Sequence, residues 1–236
     1  MIYPNPNRGV KIIQKNLITY ADAWSFQEKL FEEIVQIKLE NRNKEKPLAT
    51  PNYLIFCEHT PVYTLGKSGS LDNLLLSSDE LEMHGIEFYK TNRGGDITLH
   101  APGQLIMYPL LDLENFFTDI HLYLRNLEEA VILTLNEFGI SAGRFPGYTG
   151  VWIDSDNERA RKICAMGVRC SRWVSMHGIA LNINNDLSLF DHIVPCGIKD
   201  KDVTSMQREL GKSIDFEAVT RTLAKHFASV FHAEFV

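Results

Sequence analysis

Three stretches of the chain repeat apolar residues at helical spacing, and between them lie short apolar segments punctuated by glycine and proline. That change of period most narrows what such a chain can fold into. In residues 21–41, Phe26, Leu30, Ile34 and Ile37 recur at spacings of four, four and three. Residues 120–138 repeat the pattern through Leu124, Leu127, Val131, Leu135 and Phe138, with Gly139 as a stop, and residues 216–231 through Phe216, Val219, Leu223, Phe227 and Val230. Each run paints one apolar stripe on a helix, which must be buried against another layer. Strands are predicted at 10–18, 52–57, 86–91, 96–99, 104–111 and 150–153. A hairpin follows with strands 160–169 and 174–184, joined by Cys170-Ser171-Arg172-Trp173. Ser77 and Glu80 have the spacing of a capping box, so residues 77–84 read as a short helix that Gly85 closes. Residues 58–70, which contain Pro61 and Gly66, read as a loop. Strands clustered in hairpins, with a few amphipathic helices covering one face of a mixed β-sheet, predict an α+β fold.

At 236 residues, 44% hydrophobic and 23% charged, the chain has the composition of a globular protein and is expected to form a single domain over 1–236. No apolar run approaches the roughly 18 to 20 residues that cross a bilayer. The longest is residues 105–111, which Pro109 interrupts, so no membrane association is expected. The N-terminus lacks the apolar core of a secretory signal and the Arg- and Ser-rich bias of a transit peptide, which makes a cytoplasmic location the expectation. A net charge of −6 argues against nucleic acid as a partner. Locally, Arg159, Arg161, Lys162, Arg169 and Arg172 cluster, with Lys199 and Lys201 further on. They form either a solvated hairpin rim or a docking patch for an acidic protein or a phosphate-bearing substrate arm. The four cysteines, at 57, 164, 170 and 196, are expected to be reduced thiols, because a chain of this size needs no staples. No metal-ligand spacing occurs: there is no C-x-x-C or H-E-x-x-H, and His177 and His192 are too far apart for a helical ligand pair.

Arg161-Lys162-Ile163-Cys164-Ala165-Met166-Gly167, taken with Ile193-Val194-Pro195-Cys196-Gly197, proposes Lys162 and Cys196 as a catalytic pair. An ordinary thiol is only slightly ionised at neutral pH and needs a nearby cation or base to become a nucleophile. The two lie 196 − 162 = 34 residues apart, so only the fold can bring them together. A turn centred on 170–173 would set Lys162 opposite Leu181 and return Cys196 after a turn near 185–188. By itself, Cys196 reads first as a small buried hydrophobe, as most free cysteines are, and Cys57, Cys164 and Cys170 read as core or hairpin residues. The paired glycines of Arg93-Gly94-Gly95-Asp96-Ile97-Thr98-Leu99-His100 would let the backbone approach a ligand, or simply make a tight turn. No Gly-Lys-Ser/Thr follows them, so ATP binding has no support.

In order along residues 93–198, the blocks R-G-G-D-x-T-x-H-A-P-G-Q, R-K-I-C-A-M-G-V-R, S-M-H-G-I-A-L-N-I-N and I-V-P-C-G-I resemble the lipoyl(octanoyl) transferase family. The resemblance implies the fold of lipoate and biotin protein ligases. It implies transfer of an octanoyl group from octanoyl-acyl carrier protein to a lysine of the lipoyl domains of 2-oxoacid dehydrogenases and the glycine cleavage system. Cys196 would carry the acyl thioester and Lys162 would activate it. The segments Arg93 to His100, Ala165-Met166-Gly167 and Gly178-Ile179-Ala180 would line the acyl site, with His100 near the reactive centre and no step assigned to His177. The donor brings its own phosphopantetheine, and no further cofactor, ATP or metal is expected. A charged Lys162 would stabilise a thiolate, whereas a neutral one would accept a proton. Burying about six methylenes at roughly 0.8 kcal/mol each contributes about 5 kcal/mol, enough to hold a medium acyl chain, although one methylene discriminates by only about 1 to 3 kcal/mol. The family usually has glycine where this chain has Ala101, and a positive φ there would cost alanine about 1 kcal/mol.

Overall fold

Apolar residues alternate along the central strands, and the two sets face different layers. The computed structural model describes residues 6–194 and 202–236. In β2 (Tyr53–His59) Leu54 and Phe56 join one core while Ile55 and Cys57 join another. In β6 (Gln104–Leu110) Leu105 and Met107 part in the same way from Ile106, Tyr108 and Leu110. Successive side chains of a strand point to opposite faces, so a strand covered on both sides is apolar throughout. This accounts for β6, the longest apolar run of the sequence, in which every residue is buried.

The main sheet takes the order β10-β8-β9-β6-β2-β1-β11, with β7 also on β8. Its remaining strands are β1 (Gly9–Ile18), β7 (Val151–Ile153), β8 (Arg161–Ser171), β9 (Val174–Asn182), β10 (Asp202–Val203) and β11 (Glu234–Phe235). Helix α1 (Tyr20–Asn41) covers one face, through Leu30, Phe31, Ile34 and Val35. Helices α3 (Ile120–Glu137) and α5 (Phe216–Phe231), the latter preceded by the short α4 (Met206–Leu210), cover the other, where the Phe227 and Phe231 rings stack at 4.4 Å. The helices therefore cover two faces, not the one expected. A second sheet, of β4 (Glu87–Lys90), β3 (Val62–Leu65) and β5 (Ile97–His100) in that order, packs with α2 (Ser78–Met83) in a smaller core. The α2 capping box of Ser77 and Glu80 is formed, and Gly85 follows at φ 62°.

Two further expectations need correction. Residues 58–70 are not all loop: β3 (Val62–Leu65) lies between β4 (Glu87–Lys90) and β5 (Ile97–His100), and all four of its residues are buried. The hairpin turn is also centred one residue later than expected. Arg172 and Trp173 form it, at φ 52° and 61°, with Ser171 opposite Val174 and Cys164, not Lys162, opposite Leu181. Lys162 pairs instead with Trp152 of β7 and Val203 of β10, so other strands occupy both of its backbone edges.

Pro109 shapes the centre of the sheet. It has no N–H for a ladder bond, and the β6–β9 pairing ends at Met107 opposite Ile179. The Ser175 hydroxyl fills the gap, donating to the Pro109 carbonyl at 2.9 Å and accepting from Leu111 N–H at 3.0 Å. Here β9 distorts, with His177 at φ 61°, and Gly178 comes so close to β6 that a Cβ would lie 2.1 Å from the Met107 carbonyl oxygen. Among the described residues no helix is long and apolar enough to cross a membrane.

Candidate active site

Where β8 and β9 face the 93–100 segment, a cavity of about 310 Å³ opens. Of the residues the sequence singled out, it is lined by Arg93, Gly95, Asp96, Ile97, Thr98 and His100, by Lys162, Ala165, Met166 and Gly167 of β8, and by Gly178, Ile179 and Ala180 of β9. Two lie elsewhere. Leu99 is fully buried in the small core, and the Gly94 N–H donates to the Val168 carbonyl at 2.9 Å, which ties the 93–95 turn to β8. Gly167 permits that contact, because a Cβ there would lie 2.8 Å from the Gly94 carbonyl oxygen.

Lys162 is 8% exposed, and its Nζ stands 4.7 Å from the centroid of the buried Trp152 ring. Cys196 lies outside the described residues, as do Lys199 and Lys201. The other three cysteines are free, and burial pushes each thiol up: Cys57 and Cys164 are inside the sheet and Cys170 is half-buried. The buried-core expectation holds for Cys57 and Cys164.

Neutral rings line part of the cavity. His100 stacks on Tyr20 at 5.9 Å with an interplanar angle of 5°. Burial first, then the charges of His59 and Arg93, hold His100 well below the ordinary imidazole range. Burial, assisted by Arg93 and Arg169, lowers His177 to about 3, and its Nε2 lies 2.7 Å from Asn92 Oδ1. Desolvation raises the Tyr20 phenol to about 12 and pushes Tyr108 well above its ordinary value. Behind Tyr108, whose hydroxyl is 2.8 Å from His59 Nε2, burial lowers His59 to about 4. Such groups present uncharged rings at neutral pH, and Arg93 and Lys162 add a guanidinium and an amine to the lining. Arg93 is committed to the wall: its Nη2 donates to the Thr64 carbonyl at 2.6 Å and to Thr64 Oγ1 at 2.9 Å.

Sequence reasoning missed Tyr20, Ser68, Tyr108, Gly147, Tyr148 and Thr149, and gave His177 no role, yet all of these line the cavity. One signal was available: Tyr108 is a hydroxyl-bearing residue within the longest apolar run. Ala101 has an ordinary backbone, since positive φ falls on Gly103 at 85°, and its methyl is buried in the small core. The basic cluster disperses. Arg161 and Arg172 lie at opposite ends of β8, roughly 35 Å apart along an extended strand, and Arg161 pairs with Asp154 and Glu209. Among the described residues no three His, Cys, Asp or Glu side chains are grouped to hold a metal ion.

Comparison with known proteins gives a consistent picture. The lipoyl protein ligase A/B catalytic domain matches residues 19–228. The chain is 56% identical to the octanoyltransferase of Christiangramia forsetii over 97% of its own length and 98% of the relative's. It is 58% identical to that of Flavobacterium johnsoniae over 98% and 100%. Among solved structures, a putative lipoate protein ligase from T. acidophilum with bound lipoic acid superposes with a TM-score of 0.67 at 15% identity, covering 98% of this chain and 88% of that one. Lipoate-protein ligase A bound with ATP does so with 0.67 at 14%, covering 98% and 87%. These two likenesses concern the fold, which is that of the lipoate ligases. With sequence similarity running the length of the chain, the protein belongs to the lipoyl(octanoyl) transferase family.

Proposed function

We propose that this protein transfers an octanoyl group from octanoyl-acyl carrier protein to a lipoyl-domain lysine through a thioester on Cys196. The observation that carries the reading is a ring-walled cavity with Lys162 in its lining, in a chain more than half identical to proteins named octanoyltransferase. In the first half-reaction the Cys196 thiolate attacks the donor thioester carbon, a C–S bond forms, and backbone N–H groups stabilise the oxyanion. Collapse expels the phosphopantetheine thiolate, which takes its proton from the Lys162 ammonium and leaves that amine neutral for the second half-reaction. One thioester replaces another, so no nucleotide is required. In the second, a neutral acceptor amine attacks the acyl-enzyme, the Cys196 sulfur leaves as thiolate, and the ammonium proton passes to Lys162. Arg93, Gly95 to Thr98, His100, Ala165 to Gly167 and Gly178 to Ala180 line the chamber that holds the acyl chain. The acceptors are lipoyl domains of 2-oxoacid dehydrogenases and the glycine cleavage system, the reaction needs no metal, and it takes place in the cytoplasm.

Intact-protein mass spectrometry after mixing with octanoyl-acyl carrier protein, without ATP, tests this reading. Wild type should gain one octanoyl group that a lipoyl domain discharges, Cys196→Ser should gain none, and Lys162→Ala should acylate slowly. Acylation of the lipoyl domain only from free acid and ATP would make the protein a ligase.

A further inference from the structure

A line of buried polar side chains runs from the cavity wall to the strand beside Lys162, and every hydrogen bond in it points the same way. Arg93 Nη2 donates to Thr64 Oγ1 at 2.9 Å, and Thr64 Oγ1 lies 3.3 Å from His100 Nε2. His100 Nδ1 lies 3.0 Å from Gln104 Oε1, Gln104 Nε2 donates to Asn182 Oδ1 at 2.8 Å, and Asn182 Nδ2 donates to the Thr204 carbonyl at 2.9 Å. The Thr204 N–H then donates to the Lys162 carbonyl at 2.9 Å. All seven residues are more than nine-tenths buried.

The direction is set from the Thr204 end. A guanidinium has no acceptor, so Thr64 Oγ1 accepts from Arg93, which leaves its own proton available to His100 Nε2. A carbonyl has no donor, so the atom of Asn182 facing Thr204 is the amide nitrogen, and its oxygen turns to Gln104. Gln104 Nε2 also meets the Leu99 carbonyl, at 3.2 Å, which leaves Oε1 for the imidazole. His100 therefore carries its proton on Nδ1 and accepts on Nε2. Aligned bonds polarise one another inside a low-dielectric interior, so the line acts as one unit.

We propose that Gln104 and Asn182 are positioning residues: they lock His100 as the neutral Nδ1–H tautomer and pin the Thr204 peptide against Lys162. Both ring nitrogens of His100 are then occupied, so it serves the cavity as a fixed ring wall and not as a proton carrier. At the other end, Thr204 is held through its carbonyl by β9 and through its N–H by β8. The backbone that carries Lys162 is thereby tied to the cavity wall through side chains contributed by both sheets. The catalytic consequence rests on the acyl-transfer role of Lys162; the tautomer and the pinned peptide do not.

Long-range ¹⁵N NMR of the histidine rings in the wild-type protein, with His100→Asn to assign the signal, reads the polarity directly. A neutral Nδ1–H His100 at pH 7 is expected, and an Nε2–H tautomer or an imidazolium would overturn the proposal. Asn182→Asp replaces the donor to Thr204 with an acceptor, and Gln104→Met removes the middle of the line. In both, amide exchange at Thr204 should quicken by about tenfold, with kcat falling by about tenfold and KM staying within about twofold. Unchanged exchange in a folded variant would equally overturn it. The tautomer and the amide exchange need no acyl donor, so an intact line by those two measures in a protein that forms no octanoyl adduct would refute the acyl-transfer reading alone.

Discussion

Lys162 and Trp152 are register partners across β7 and β8, and the lysine Nζ sits 4.7 Å from the centre of the indole ring. Paired residues on adjacent strands share a face, so the sheet itself sets the amine over the ring. A desolvated contact of this kind is worth about 0.5 to 2 kcal/mol. Trp152→Leu should lower the single-turnover rate of octanoyl transfer by about tenfold and Trp152→Phe by about twofold. Rapid-quench measurement of the two variants checks this, and equal losses would show that the ring face plays no part.

Gly178 cannot carry a side chain without moving the sheet. Its Cβ would lie 2.1 Å from the Met107 carbonyl oxygen, with Pro109 Cδ at 2.8 Å, and both belong to the central strand β6. Gly178→Ala should destabilise the fold by about 1 to 3 kcal/mol and distort the cavity wall. Urea denaturation, followed by tryptophan fluorescence, measures the first effect, and acylation rate the second.

Ala101 should outperform glycine. Its φ is not in the left-handed region and its methyl is 1% exposed, so Ala101→Gly loses burial and adds backbone freedom to the unfolded chain. A loss of about 1 kcal/mol in urea denaturation is the expected result.

Acid should weaken the fold well above the carboxylate range. Burial depresses His59 to about 4 and His177 to about 3, against an ordinary 6.5. A depressed folded-state value means that the unfolded chain binds the proton first. The stability these groups supply is complete above pH 6.5 and is lost as pH falls through that value towards 4 for His59 and 3 for His177. Each contributes a slope of about 1.4 kcal/mol per pH unit inside its window. Urea midpoints from pH 7.5 to 5 should fall steeply in wild type and less steeply in His59→Gln, whose side chain can still reach Tyr108.

What the sequence by itself determined was set by local spacing. The stripe from Phe216 to Val230 placed α5, Ser77 with Glu80 placed α2, loose alternation placed β1, a short apolar run placed β2, and two strand-like runs around a four-residue connection placed the hairpin. The ordered blocks from Arg93 to Ala180, through the family they resemble, marked most of the cavity lining. Register was not legible. Arg172 and Trp173 adopt positive φ with neither glycine nor asparagine to announce it, so nothing in the chain revealed where the hairpin turns and hence what faces Lys162. The strand β3 was hidden because its four residues are buried on both faces and do not alternate, yet it supplies Thr64 to His100. Tyr20, Tyr108 and His177 converge on the cavity from a helix and two strands distant in sequence. Only the tertiary structure decided those neighbours, because periodicity records which face a residue turns inward and carries no record of what it meets there.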